Sequence, residues 1–185
     1  MPGKYWESIL DVAVQNGGYV TPTLMDTRGV PAVELRKMVS RGVLTSAAHG
    51  VYRVPSLPID GYDEFVLARL WAKGRGVVSH DSALLVHELC DINPTKVHIT
   101  VPHDYRIAKA GAERYVIHRA DLAPNETTRV GAVTLTTIMR TLTDSVDSVP
   151  GYLVRQAIET ARATGSIRRA DHERLLHALE SPVSA

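Results

Sequence analysis

One predicted helix carries two cations, a hydroxyl and a branched apolar side chain on the same face. Val33, Arg36, Lys37 and Ser40 recur at helical spacing. The apolar positions of the same helix fall on the opposite side: Leu35, Met38, Val39 and Gly42. Cations pair with phosphates and base edges, a hydroxyl hydrogen-bonds to either, and a methyl group packs against thymine. The presented face therefore has the chemistry that a DNA major groove accepts.

The residues before this helix determine where it begins. Thr21 can cap a short helix, and Pro22 suits its first position, where a missing N–H costs nothing. Gly29 can adopt the left-handed conformation that a tight turn over residues 27–30 needs, and Pro31 starts the next helix. An upstream amphipathic helix supports this pair with a predicted core stripe: Trp6, Ile9, Leu10, Ala13 and Val14.

Two short predicted strands, residues 43–46 and 51–54, follow the basic helix and are joined by a loop of hairpin type. This hairpin would form a wing, with His49 and Arg53 as contacts to phosphate or the minor groove. Arg41, at the end of the helix, completes the predicted DNA-binding set. The order of elements predicts a winged helix-turn-helix over residues 1–55. A structural module or a protein-docking surface of the same shape is the alternative.

Charge alone does not provide affinity for nucleic acid. The chain has 185 residues and a formal net charge of +1, with six Lys/Arg against four Asp/Glu in residues 1–55. Affinity would therefore depend on placed contacts, and we expect two protomers on a palindromic site. Cys90 is the single cysteine, so an intrachain disulfide is impossible, and no signal peptide or membrane-spanning run is recognisable. A cytoplasmic location is expected.

Pro55 and Pro58 favour an extended backbone and predict a boundary, with a second domain over residues 56–185. Helical stretches in this half include one that Ser79 would cap and that would extend through Leu89. Strands are predicted at residues 97–101, 115–119 and 133–136. The expected fold class is α+β, with an amino-terminal winged helix-turn-helix followed by a small mixed α/β domain.

Candidate catalytic and metal-binding patterns are incomplete. His98, His103 and His118 could meet on adjacent strands, but they lack an evident carboxylate or thiolate partner, so exposed strand histidines are the preferred interpretation. The run His80-Asp81-Ser82 contains the residue types of a hydrolase triad, yet triads assemble from distant segments, and helix capping explains the run better. The familiar phosphate-loop and zinc motifs are absent. We therefore expect no enzyme activity, catalytic residue, metal site or cofactor.

Basic residues are frequent in the last third of the chain. The residues that could form a patch for nucleic acid or an acidic partner are Arg155, Arg162, Arg168, Arg169 and Arg174. An ordinary solvated helical face is the alternative interpretation of the same residues.

Long segments of the chain resemble the AbiEi family of antitoxin regulators. These segments are HGVYRV in the hairpin, then GVVSHDSALLVHELCDINPTKVHITVP, and then YVIHRADLAPNETTRVGAVTLTTIMRTLTD. The resemblance implies an amino-terminal winged helix-turn-helix that binds inverted repeats in its own promoter. It also implies a carboxy-terminal domain that opposes a cognate nucleotidyltransferase toxin, with or without a stable complex.

The toxin's own signature, a Gly-Ser followed by paired aspartates on a strand, is missing here, because Gly165-Ser166 has only Asp171 near it. The chain is thus expected to be the antitoxin partner, with Arg155, Arg162, Arg168 and Arg169 as the candidate antitoxin surface. A regulator whose second domain senses a small molecule, without an antitoxin role, is the alternative.

Overall fold

The computed structural model describes residues 3–59, 61–106 and 111–180, which fold as two units. The first unit contains the described residues up to Gly76, together with Gly131–Val133. The second unit contains the described residues 77–130 and 134 onward. Helices and strands occur in both units, so the prediction of a chain that mixes helices and sheets is confirmed.

Three helices begin the first unit: α1 (Trp6–Gln15), α2 (Pro22–Asp26) and α3 (Ala32–Ser40). The predicted cap is present, because the Thr21 hydroxyl accepts a hydrogen bond of 3.2 Å from the Leu24 amide. Gly29 has a φ of +66°, in the left-handed region that the turn between α2 and α3 requires. These helices fit a helix-turn-helix, and their apolar faces meet in one core that includes Ile9 and Met25. Val14, which was expected on the core stripe of α1, is instead exposed.

A three-stranded antiparallel sheet completes the amino-terminal segment. Its strands are β1 (Tyr19–Val20), β2 (Thr45–Ala48) and β3 (Val51–Arg53), in the order β1-β3-β2. The predicted hairpin is present, but β2 begins at Thr45 because Leu44 is buried in the helical core, and the connecting residues are only His49 and Gly50. The pairing of β1 with β3 was not predicted, since two residues are too few to give a periodic pattern.

Helix α4 (Asp63–Trp71) also lies in the first unit, beyond the boundary expected at Pro55–Pro58. Two polar contacts join it to the residues around β1. The Tyr19 hydroxyl donates to Asp63 Oδ1 at 2.6 Å, and Arg69 Nη1 donates to Asn16 Oδ1 at 3.1 Å. Both Tyr19 and Asn16 are buried, so α4 supplies partners for polar groups that water does not reach.

The second unit contains a five-stranded mixed sheet, apart from Val133, which is grouped with the first unit. Its strands are β4 (Val77–Val78), β5 (Val97–Val101), β6 (Tyr115–Arg119), β7 (Thr127–Val130) and β8 (Val133–Thr136), in the order β6-β5-β4-β8-β7. β4 pairs antiparallel with β5 and parallel with β8, while β5 and β6 are parallel. The predictions for β5, β6 and β8 are confirmed residue for residue, whereas β7 was not predicted.

Four helices accompany this sheet: α5 (His80–Val86), α6 (Ile138–Ser145), α7 (Gly151–Ala163) and α8 (Arg169–Glu180). Their buried side chains form a core that includes Leu84, Leu142 and Ile158. The prediction that Ser79 caps a helix through Leu89 was wrong in two respects. The Ser79 side chain makes no capping hydrogen bond, and α5 ends at Val86 because Glu88 adopts a φ of +55°. No helix in the described part of the chain combines the length and apolar character needed to cross a bilayer.

Candidate nucleic-acid interface

Helix α3 presents the predicted face outward. Val33 is 45% exposed, and Arg36, Lys37 and Ser40 are exposed as well, while Leu35 and Met38 on the other side are buried. The periodicity of the sequence explains this division, because the buried positions pack against the helical core. An exposed branched side chain among cations leaves both apolar and charged groups accessible on one helix face.

The polar groups on this face differ in how they are held. Lys37 Nζ forms an ion pair with Glu34 Oε1 at 2.8 Å, one helical turn earlier, and the Ser40 hydroxyl donates to the Lys37 carbonyl at 2.8 Å. Arg36 has no hydrogen-bond or ion-pair partner among the described residues. Its guanidinium thus keeps five donors available, whereas the Lys37 charge is partly balanced by Glu34.

A groove of about 420 Å³ separates α3 from the β2–β3 hairpin. Its walls come from three elements: Pro22 of α2, Ala32 and Arg36 of α3, and Ser46, His49 and Tyr52 of the hairpin. Arg36 and His49, which are thirteen residues apart in the sequence, thus line one concave surface. The groove brings a permanent cation and a titratable imidazole together in the position where the sequence predicted a DNA contact.

Two of the predicted contact residues lie elsewhere. The Arg53 guanidinium donates to the backbone carbonyls of Val54, Pro55 and Leu57, the last at 2.6 Å, so it holds the segment that follows β3. Arg41 lines a separate pocket of about 180 Å³ beside Trp6 and the start of α1. The structure therefore groups Arg36 with His49 and gives Arg53 and Arg41 different surroundings.

A cluster of imidazoles lies in the second unit, formed by His80, His98 and His118 with the carboxylate of Asp81. His118 Nε2 is 3.2 Å from His98 Nδ1, and His98 Nδ1 is 3.3 Å from Asp81 Oδ1. The His80 ring stacks on His118, with 3.4 Å between centroids and 10° between planes. The preferred interpretation of exposed strand histidines was therefore wrong for His98 and His118, which are half-buried and in contact, whereas His103 is exposed and lies outside the cluster.

Burial keeps this imidazole cluster neutral. Burial, and after it the charge repulsion of the neighbouring imidazoles, lower the pKa of His80 to about 3 and that of His118 to about 4. Burial also lowers the pKa of His98, against the opposing effect of the Asp81 charge. Within residues 3–59, 61–106 and 111–180, no group of three or more His, Cys, Asp and Glu side chains is arranged to hold a metal ion.

His80 was missed because its membership depends on strand pairing. Val78 lies opposite Ile99 in the antiparallel β4–β5 pair, which brings the residues after β4 beside His98. The sequence contains one signal for this pairing, since Val77 and Val78 form a short apolar run next to the Gly-rich turn. This run would have predicted the position of His80 only if the register of the β4–β5 pair had been known.

The arginines of the candidate antitoxin surface are not equivalent. Arg155 forms an ion pair with Glu180 at 2.9 Å, and Arg169 forms one with Glu173 at 2.8 Å. Arg162 and Arg168 are exposed, and neither side chain forms an ion pair with another described residue. Exposed pairs contribute little to stability, but they reduce the net positive charge offered to a partner. Arg162 and Arg168 thus carry most of the unbalanced charge of this surface.

Residues 7–55 match the family model described as transcriptional regulator, AbiEi antitoxin, so the resemblance is confirmed for the segment from α1 to β3. No curated protein matches the chain significantly. A crystal structure of the RV2827C protein from Mycobacterium tuberculosis aligns with 97% of this chain and 82% of that one. The TM-score is 0.46 and the sequence identity is 14%, which is too low to identify the fold.

Proposed function

We propose that the protein is an antitoxin and autorepressor whose amino-terminal segment binds DNA as a winged helix-turn-helix. The observation that carries this proposal is the match of residues 7–55 to AbiEi transcriptional regulators, over the segment that contains α3, the hairpin and the groove between them. Inserted in a major groove, α3 would bring Arg36 and Val33 to base edges, while His49 of the hairpin would reach the adjacent backbone.

The roles within this interface follow from how each side chain is held. Arg36 is the main candidate for direct base contact, because no group in the described chain competes for its donors. Lys37 and Ser40 would contact phosphate, since a Lys37 ammonium held by Glu34 is less free to reach a base. Arg53 would act indirectly by holding the segment after β3, and Arg41 would contact backbone outside the groove.

The test of this interface is a fluorescence-anisotropy titration of the full chain with the promoter fragment of its own operon. Arg36→Ala should weaken binding by about 1–3 kcal/mol and reduce discrimination against a scrambled fragment. Lys37→Ala should weaken both fragments by similar, smaller amounts and reduce the salt slope by about 1. Arg162→Ala on α7 is the matched control, since it removes the same charge from an exposed helix elsewhere. Unchanged discrimination in the Arg36 variant would refute this assignment of the interface.

The operator is expected to be an inverted repeat, because two copies of a single recognition helix read a palindrome most directly. Two protomers should therefore bind one operator. Sedimentation of the full chain with a single operator duplex measures this stoichiometry, and one protomer per duplex would contradict the proposal.

The antitoxin role would belong to the second unit and oppose a nucleotidyltransferase toxin encoded beside this chain. Its test is growth of cells that express this toxin together with the full chain. Arg36→Ala should still rescue growth, which would separate the antitoxin role from DNA binding. Combined Arg162→Glu and Arg168→Glu should lose rescue while keeping promoter binding, if this surface contacts the toxin. Failure of the unmodified chain to rescue would refute the antitoxin role.

A further inference from the structure

The imidazole cluster cannot satisfy all of its polar atoms in the neutral state. His98 Nδ1 faces both His118 Nε2, at 3.2 Å, and Asp81 Oδ1, at 3.3 Å. A neutral ring nitrogen is either a donor or an acceptor, and a carboxylate oxygen only accepts. If Nδ1 accepts from His118, Asp81 Oδ1 has no donor. This oxygen is buried and lacks a well-formed hydrogen bond, in agreement with that arrangement.

Protonation of more than one histidine of the cluster is also unfavourable, because the rings are packed closely. His80 and His118 lie face to face at 3.4 Å, and the His98 ring centroid is 5.3 Å from that of His118. Two imidazolium ions at this separation repel one another. Asp81 on α5 is the carboxylate in contact and can balance one positive charge at most. The neutral cluster thus leaves a polar atom without a hydrogen bond, and the protonated cluster cannot hold several positive charges in its closed geometry.

Helix α6 adds a further positive charge on the side of His80. Arg140 repels a protonated His80, and its own charge is balanced by Glu126 at 2.7 Å and Asp144 at 2.8 Å. Since these two carboxylates are already paired, they offer little compensation to an additional charge on the cluster. Among the described residues, the charged and titratable groups around His80 thus include Asp81, His98 and His118, together with Arg140 and its two carboxylate partners.

The backbone at His80 depends on the ring contacts. His80 begins α5 with a φ of +49°, in the left-handed region, which is strained for a residue with a Cβ. Three hydrogen bonds fasten Ser79 and the first turn of α5 to β5: from the Ser79 amide to the His98 carbonyl at 3.1 Å, from Thr100 Oγ1 to Ser79 Oγ at 2.8 Å and from the His98 amide to Ser82 Oγ at 2.9 Å. Loss of the ring stack would remove one of two ring contacts that hold the strained residue between Ser79 and Ser82, the other being His80 Nδ1 to Ser79 Oγ at 3.0 Å.

We propose that the imidazole cluster is a proton-operated switch, in which proton uptake at mildly acidic pH separates His80 from His118 and releases the first turn of α5 from β5 and β6. The sign follows from linkage. The closed state holds the pKa of His80 and His118 below the ordinary value of 6.5, so the open state binds more protons. Closure is therefore favoured above pH 6.5 and is progressively lost as pH falls towards 4.

The test is amide hydrogen exchange of the full chain at pH 7 and pH 5, corrected for the intrinsic rate. Two histidines that titrate only in the open state should increase opening of residues 80–83 on the order of 10²- to 10³-fold over this interval. Protection of α1 in the first unit serves as the internal reference. An absence of this selective loss in the unmodified chain would overturn the proposal.

Two variants distinguish titration of the cluster from general acid sensitivity. His118→Phe keeps a flat ring for stacking but cannot take up a proton, and His80→Asn tolerates positive φ without an imidazole. Each should reduce the pH effect at least tenfold. His103→Asn, which alters a histidine outside the cluster, should leave it unchanged. An undiminished pH effect in both cluster variants would also overturn the proposal, and the DNA-binding assay remains independent of either result.

Discussion

Replacing Tyr19 with Phe should destabilise the first unit by about 2 kcal/mol, because it removes a hydroxyl that a buried carboxylate needs. Tyr19 is 4% exposed, and its hydroxyl donates to Asp63 Oδ1 at 2.6 Å. The other carboxylate oxygen, Asp63 Oδ2, is buried and has no hydrogen-bond partner. The substitution would leave the ionised group with still less compensation for its lost hydration.

Two independent arguments give this magnitude. Hydrogen bonds to charged groups contribute roughly 1.5–3 kcal/mol to stability. Burial, and then the hydrogen bond to Asp63, raise the pKa of Tyr19 from 10.0 to about 12, and two units correspond to about 2.7 kcal/mol. Since burial contributes to this shift, the second figure is an upper limit for the hydrogen bond. The raised pKa also means that the stabilisation is present below pH 10 and is lost as pH rises towards 12.

Urea unfolding followed by tryptophan fluorescence measures this effect selectively. Both tryptophans, Trp6 in α1 and Trp71 in α4, belong to the first unit. At pH 8 the free energy of unfolding of the Tyr19→Phe variant should be about 2 kcal/mol lower than that of the unmodified chain. When the pH is raised from 10 to 11, the free energy of unfolding should fall less in the variant than in the unmodified chain, because the variant has no Tyr19 hydroxyl to ionise. Tyr52→Phe, at a half-buried tyrosine of β3, is the matched control. A Tyr19 variant within about 0.5 kcal/mol of the unmodified chain at pH 8 would refute the reasoning.

Three further predictions concern stability and reactivity. Gly17→Ala should cost about 1–2 kcal/mol in urea unfolding, because φ is +61° and the new Cβ would lie 3.3 Å from Val66 Cγ2. Gly29→Ala, at a φ of +66° with open space around the new Cβ, measures the cost of the backbone conformation alone. Equal losses of stability in the two variants would contradict a steric contribution at Gly17. Thr21→Ala removes the α2 cap and should cost about 1 kcal/mol in the same assay, whereas no loss would dismiss the cap. Burial raises the pKa of Cys90 to about 11, so iodoacetamide should alkylate it roughly 100-fold more slowly at pH 8 than in urea. Equal rates would argue against that raised pKa.

Local signals were sufficient for the helices around the candidate interface. Thr21-Pro22 fixed the start of α2, and Gly29 and Pro31 fixed the turn before α3, because these residues act through their own backbone preferences. The exposed face of α3 followed from periodicity, since burial of Leu35 decides which side points outward. The sequence therefore predicted the outward direction of Arg36 without any knowledge of tertiary contacts.

Contacts that depend on the path of the chain could not be predicted in this way. Arg53 is of a residue type that commonly contacts DNA, yet its guanidinium donates to carbonyls of the segment that follows β3. His80 joins the imidazole cluster only because β4 and β5 pair with Val78 opposite Ile99. Similarly, the boundary expected at Pro55–Pro58 reflects local backbone preference, while the contacts of Asp63 group α4 with the first unit. Pairing register and side-chain partners are properties of the whole fold.

The position of β4 in the centre of its sheet also constrains the order in which the chain can fold. β4 pairs with β5, which follows soon after it, and with β8, where Val78 lies opposite Leu135. During synthesis one side of β4 must therefore wait until the ribosome has passed residue 135, although the helices of the first unit are already complete. Such non-local pairing slows folding, because the chain loses the entropy of closing a long loop before the contacts that offset this loss can form. Nascent chains arrested before β8 should consequently expose an unpaired apolar strand and be the species most prone to aggregation.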